Sequence, residues 1–122
     1  MSNQENGNRQ LMCRYIDYLC SSIRLLNGLE HFTQGIGGLI GSTMLVFGDN
    51  PEVAEGEWPE LENFEGVCFY CEYDPPPLLV TYQDFFDNLK NTVERRIYDE
   101  DIEYQKQAKK YMEEIRMRYK LK

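Results

Sequence analysis

The sequence predicts a single α/β domain of the mixed α+β kind, an antiparallel sheet of three or more strands packed with N-terminal and C-terminal helices. Apolar residues recur at helical spacing towards both ends of the chain, and apolar and polar residues alternate across its middle. A length of 122 residues with 42% hydrophobic content suits one core. Residues 1–8 are polar and are expected to be disordered, leaving 9–122 as the domain.

Each element follows from local pattern. From about Arg9 to Asn27, the residues Met12, Tyr15, Ile16, Leu19, Ile23 and Leu26 form one helical stripe, and Asn27-Gly28 supplies a stop. Gly35-Ile36-Gly37-Gly38 lacks the lysine of a phosphate-binding loop and runs into strand-like sequence. It therefore reads as a turn that needs positive φ or close backbone approach. Leu39 to Phe47 reads as a strand. Gly48 to Asn63 holds two prolines and no sustained period, and reads as a long loop tethered near its end by Trp58 and Phe64.

Val67 to Tyr73 alternates, with Val67, Phe69, Cys71 and Tyr73 on one face and Cys68, Tyr70 and Glu72 on the other. Asp74-Pro75-Pro76-Pro77 is a turn, because three prolines remove three donors. Leu78 to Val80 returns as an antiparallel partner. Thr81 is placed to cap a helix, with Asp84 three residues on, and Phe85, Phe86, Leu89, Val93 and Ile97 form its buried stripe. Asp99-Glu100-Asp101 opens a last helix, about Asp101 to Lys120, with Ile102, Ala108, Tyr111, Met112 and Ile115 on its apolar side. Its basic last turns suit the helix dipole and need no further role.

Composition narrows function by exclusion. A formal charge of −8 opposes nonspecific binding to nucleic acid or to an anionic membrane. The longest apolar stretch, Leu39 to Phe47, is too short to span a bilayer, and Met1 to Gln10 lacks the apolar core of a signal peptide, so a cytoplasmic location is expected. Four cysteines fit that compartment. Cys13 and Cys20 share a helix face about 10 Å apart along the axis, too far for a disulfide. Cys68 and Cys71 form a C-x-x-C within a strand, which points them to opposite faces. With one histidine and no second C-x-x-C, no metal site is expected. His31, expected near the end of the first helix, is favoured there by the dipole alone. No metal triad, dinucleotide fingerprint or nucleophile elbow is present, so neither catalytic residues, a cofactor nor a small-molecule substrate is expected.

The informative region is acidic. Between Arg24 and Lys90 there is no lysine or arginine but twelve aspartates and glutamates. Asp49, Glu52, Glu55, Glu57, Glu60, Glu62 and Glu65 fall close together, interleaved with Val53, Trp58, Leu61 and Phe64. Acids mixed with apolar residues offer a basic partner both field and contact area. The candidate binding residues are thus Asp49, Glu52, Glu55, Glu57, Trp58, Glu60 and Glu62. Two roles for Trp58 stand side by side, an interface anchor and a core residue that pins the loop.

The order of segments carries a resemblance. A first amphipathic helix, the turn Gly35-Ile36-Gly37, an apolar strand and an acidic loop precede Phe64-Glu65-Gly66-Val67. An aromatic strand follows, then Leu79-Val80-Thr81-Tyr82 with Phe85 opening a helix. Over residues 10–100 this resembles the ribonuclease-toxin immunity proteins of bacterial contact-dependent growth inhibition systems, the CdiI type. The Pro75-Pro76-Pro77 turn and the C-x-x-C strand stand outside that pattern. The resemblance implies a small cytoplasmic protein, not an enzyme, that binds the C-terminal nuclease domain of its own toxin and blocks it. Charge agrees, since an RNA-cleaving cleft is usually basic and an acidic loop can mimic its polyanion. An acidic adaptor for another basic protein and a small carboxylate-dependent enzyme are the alternatives.

Overall fold

The structure is a computed structural model and describes residues 2–56, 58–71 and 77–122. Helices α1 (Ser2–Ser21) and α2 (Leu25–Phe32) lead into strands β1 (Gly38–Ile40) and β2 (Thr43–Phe47). A single helical turn, α3 (Pro51–Ala54), and a 3-10 turn (Pro59–Leu61) follow. Strands β3 (Gly66–Cys71) and β4 (Leu78–Thr81) then run into α4 (Tyr82–Ile97) and α5 (Ile102–Arg118). Among the described residues the strands form one antiparallel meander in the order β1-β2-β3-β4, with N- and C-terminal helices flanking it. The expected α+β fold is the observed one. Glu72, Tyr73, Asp74, Pro75 and Pro76 of the expected strand end and turn lie outside the described residues.

The sheet has two unlike faces. Leu45 and Phe47 of β2 pair with Phe69 and Val67 of β3, and Val67 pairs with Val80 of β4. These residues share the inner face and pack into the main core with α1, α2, α4 and α5. Phe47 lies edge-on to Phe85 with ring centres 5.6 Å apart, and Phe32 lies against both. Burying each such ring contributes roughly 1.5–3 kcal/mol. The opposite face carries Val46, Cys68, Met44 and Tyr70, and a second apolar cluster covers it. Cys68 and Cys71 point to opposite faces, as their strand spacing predicts: Cys68 is in the outer cluster and Cys71 packs on the main core.

Several local expectations need correction. The helix expected from Arg9 to Asn27 is two helices. Ser21 Oγ donates to the Asp17 carbonyl at 2.8 Å and Ser22 Oγ accepts from the Arg24 N–H at 3.0 Å, local bonds that compete with helix continuation. Ile23 consequently faces solvent, 97% exposed. Asn27-Gly28 lies inside α2 and stops nothing. A Cβ at Gly28 would lie 2.6 Å from Leu19 Cδ1, so the glycine serves the close packing of α2 on α1. The helical backbone of α1 also includes residues 2–8. The strand expected over Leu39–Phe47 is a hairpin, because Gly41 at φ +61 opens a two-residue turn. Ile102, placed on the apolar stripe of α5, is 65% exposed, while Ala108, Met112 and Ile115 are buried as expected.

Other local readings hold. Gly35 has φ +73, and a Cβ at Gly37 would lie 2.0 Å from the Leu45 carbonyl oxygen, so both reasons for a glycine turn operate there. Thr81 caps α4 by accepting from the Asp84 N–H at 3.2 Å, and Asp101 caps α5 by accepting from Tyr104 at 2.8 Å. No described helix is long and apolar enough to cross a membrane.

Candidate functional site

The acidic segment is where the structure departs furthest from a simple loop. Its base is closed by a hydrogen bond from the Gly48 N–H to the Gly66 carbonyl at 2.8 Å. Pro51 starts α3, where a missing N–H costs nothing, and Gly56 at φ +87 lets the chain leave that turn. Pro59 starts the 3-10 turn in the same way, and Asn63 takes the left-handed conformation that asparagine tolerates. These breaks hide any sequence period, yet they bring apolar residues onto one side. Val53 and Leu61 are buried against Val46 and Cys68, with Trp58, Phe64, Met44 and Tyr70 partly buried around them. The segment is a fitted cover for the outer face of the sheet.

Two polar ties add to this packing. The Tyr70 hydroxyl donates to Glu60 Oε1 at 2.6 Å. That bond holds the Glu60 carboxyl below the usual carboxylate range. Burial first, and then Glu60, push the Tyr70 phenol well above its ordinary value. At the other end, Arg118 of α5 pairs with Asp49 at 2.9 Å, and Tyr119 donates to Asp49 Oδ1 at 3.0 Å. The Tyr119 ring stacks on Tyr82 with centres 4.0 Å apart. Burial is the first cause that pushes the Tyr82 phenol up to about 12, followed by the nearby Asp49 charge.

The candidate residues therefore divide. Glu55 and Glu62 are exposed, as is the neighbouring Glu65. Glu60 is exposed but committed to Tyr70, and Asp49 is committed to Arg118 and Tyr119. Glu52 lies in α3, with its side chain outside the described residues, and Glu57 lies outside them altogether. Trp58 is half-buried, and its ring centre lies 4.7 Å from that of Tyr70 on the outer sheet face. Its indole N–H meets no acceptor among the described residues.

An open groove of about 1060 Å³ runs between the segment's two limbs. Asp49, Pro51, Val53, Leu61, Glu62, Phe64 and Glu65 are among its lining residues. Carboxylates beside apolar side chains can receive a long cationic side chain, its stem on the apolar carbons and its head between the acids. A smaller groove of about 380 Å³ lies at the α1–α2 corner, lined by Tyr15, Tyr18, His31 and Leu39 among others. His31 is in the last turn of α2, and no side-chain hydrogen bond reaches it among the described residues. Nor does any described group of three or more His, Cys, Asp or Glu residues form a metal-binding cluster.

Sequence reasoning missed Arg118, Tyr119 and Tyr82. No local signal connects them to Asp49, which is 69 residues from Arg118. Tyr70 was within reach, since alternation sets it beside Cys68 on the outer face. Comparison of the chain with family models, with curated proteins and with solved structures finds no match.

Proposed function

We propose that this chain is an immunity protein that binds and neutralises the C-terminal nuclease domain, a ribonuclease, of a cognate contact-dependent growth inhibition toxin. The observation that carries the reading is the acidic segment. It is packed on the outer sheet face by Val53 and Leu61, with Glu55, Glu62 and Glu65 exposed. A fixed array of carboxylates loses less conformational freedom on binding than a floppy acidic loop would. The resemblance in segment order supports the same reading, with Gly66 of the Phe64-Glu65-Gly66-Val67 motif at the point where the cover joins the sheet.

The chain acts by binding, without catalysis, cofactor, metal or small-molecule substrate, in the cytoplasm where leaked toxin would act. The acids take the place of RNA phosphates in the basic cleft. Charge supplies speed and orientation, and contact with the apolar residues lining the groove supplies residence time. Lethal leakage demands tight capture, on the order of −12 kcal/mol for a nanomolar complex.

The test is co-expression with the product of the gene immediately upstream. The expected result is a stable complex with no RNA cleavage, and cells that survive only when this chain is present. If the two proteins elute separately and cells die regardless, the immunity reading fails. If this chain instead captures unrelated basic proteins, the adaptor alternative takes its place.

A further inference from the structure

Asp49 lines both the large groove and a second one of about 570 Å³ at the base of the cover. Arg118 sits on it. The Arg118 Nε donates to Oδ2 at 3.0 Å and Nη2 approaches the same oxygen at 2.9 Å. The chain has no lysine or arginine between Arg24 and Lys90, and among the described residues Arg118 is the one cation ion-paired with the segment.

We propose that Arg118 is an internal counter-ion: in the free protein it occupies Asp49, and a guanidinium of the basic partner displaces it on docking. The inference rests on reading the acidic segment as the docking surface, and it adds an autoinhibitory contact to that surface. Three observations support it. The pair is not the main anchor of the cover, since Val53, Leu61, the Trp58–Tyr70 contact and the Gly48–Gly66 hydrogen bond also hold it. The paired side chains are 37% and 36% exposed, so the ion pair itself is weak, although Arg118 also donates to the Thr33 carbonyl at 3.3 Å and lies beside the Tyr119 hydroxyl at 3.3 Å. A partner arginine can reproduce the two-pronged geometry, whereas a lysine ammonium offers only a point charge. The contact thus lowers the attraction of the surface for stray cations and favours a partner that presents arginine there.

Calorimetry at low salt with octa-arginine and octa-lysine peptides tests this on the wild-type chain, Arg118→Gln, Asp49→Asn and the double variant. Arg118→Gln should bind octa-arginine about two- to five-fold more tightly than wild type, from the release of one exposed ion pair. Asp49→Asn in the same chain should abolish that gain. In the wild-type chain the Arg118 side-chain Nε–Hε resonance should shift as octa-arginine is added. Circular dichroism checks that Arg118→Gln is folded, and Arg118→Lys replaces it in the comparison if it is not. If the Arg118 variant binds equally or more weakly, or if the Arg118 signal stays still while peptide binds, the counter-ion is overturned and the acidic surface stands. Absence of octa-arginine binding to every variant overturns the surface itself, and the counter-ion with it.

Discussion

Removing the Trp58 side chain separates the two roles its sequence position allows. The ring is half-buried on Tyr70, 4.7 Å between centres, and belongs to the outer-face cluster. A fully buried tryptophan cut to alanine costs about 3–5 kcal/mol, and partial exposure halves that to roughly 2 kcal/mol. The aromatic contact adds about 0.5–1.5 kcal/mol beyond area. Loss of an indole N–H that meets no acceptor among the described residues returns about 1 kcal/mol. The net is a destabilisation of about 2 kcal/mol, or roughly 6–10 °C in Tm for a domain of this size. A thermal melt by circular dichroism measures the shift, and hydrogen exchange should show amides of the cover opening before those of β2 and β3. A Tm within about 1 °C of wild type, with cover amides as protected as before, would refute the pinning role.

Other expectations follow from single contacts. Tyr70→Phe should let the Glu60 carboxyl titrate nearer its ordinary range, observable by carbon NMR. Because that carboxyl is depressed in the folded state, its contribution to stability is full above the ordinary carboxylate pKa. It fades as pH falls through the lowered value. Gly66→Ala should cost about 3 kcal/mol or more in urea denaturation, since the new Cβ would lie 2.1 Å from the Val80 carbonyl oxygen. Thiol titration should find Cys13 reacting first, because it is exposed. Cys20 and Cys68 should react only on unfolding, being buried, with burial pushing their thiols up to about 12 and about 11.

What could be read from the chain was what is local. The stripe of Phe85, Leu89 and Val93, the Thr81 cap and the alternation around Phe69 are each set by neighbours within a turn or a strand. Errors arose where one residue type serves two purposes. Gly28 looked like a helix stop and is a packing glycine; Gly41 sat unnoticed in an apolar run and turns it into a hairpin. The acidic segment was legible as a charged surface but not as a cover. Its order comes from Val53 and Leu61 meeting Val46 and Cys68, contacts that no period announces. The Asp49–Arg118 pair is the extreme case, since only the finished fold brings its two ends together.

The most direct test is the association rate of the cognate nuclease domain with Glu55→Lys/Glu62→Lys/Glu65→Lys, measured against salt beside the wild-type chain. All three positions are exposed, so the fold should survive the change. The expected result is association slowed by about tenfold or more, with a flattened salt dependence and lost protection of cells. An unchanged rate, unchanged salt dependence and full protection would contradict the acidic cover as the docking surface.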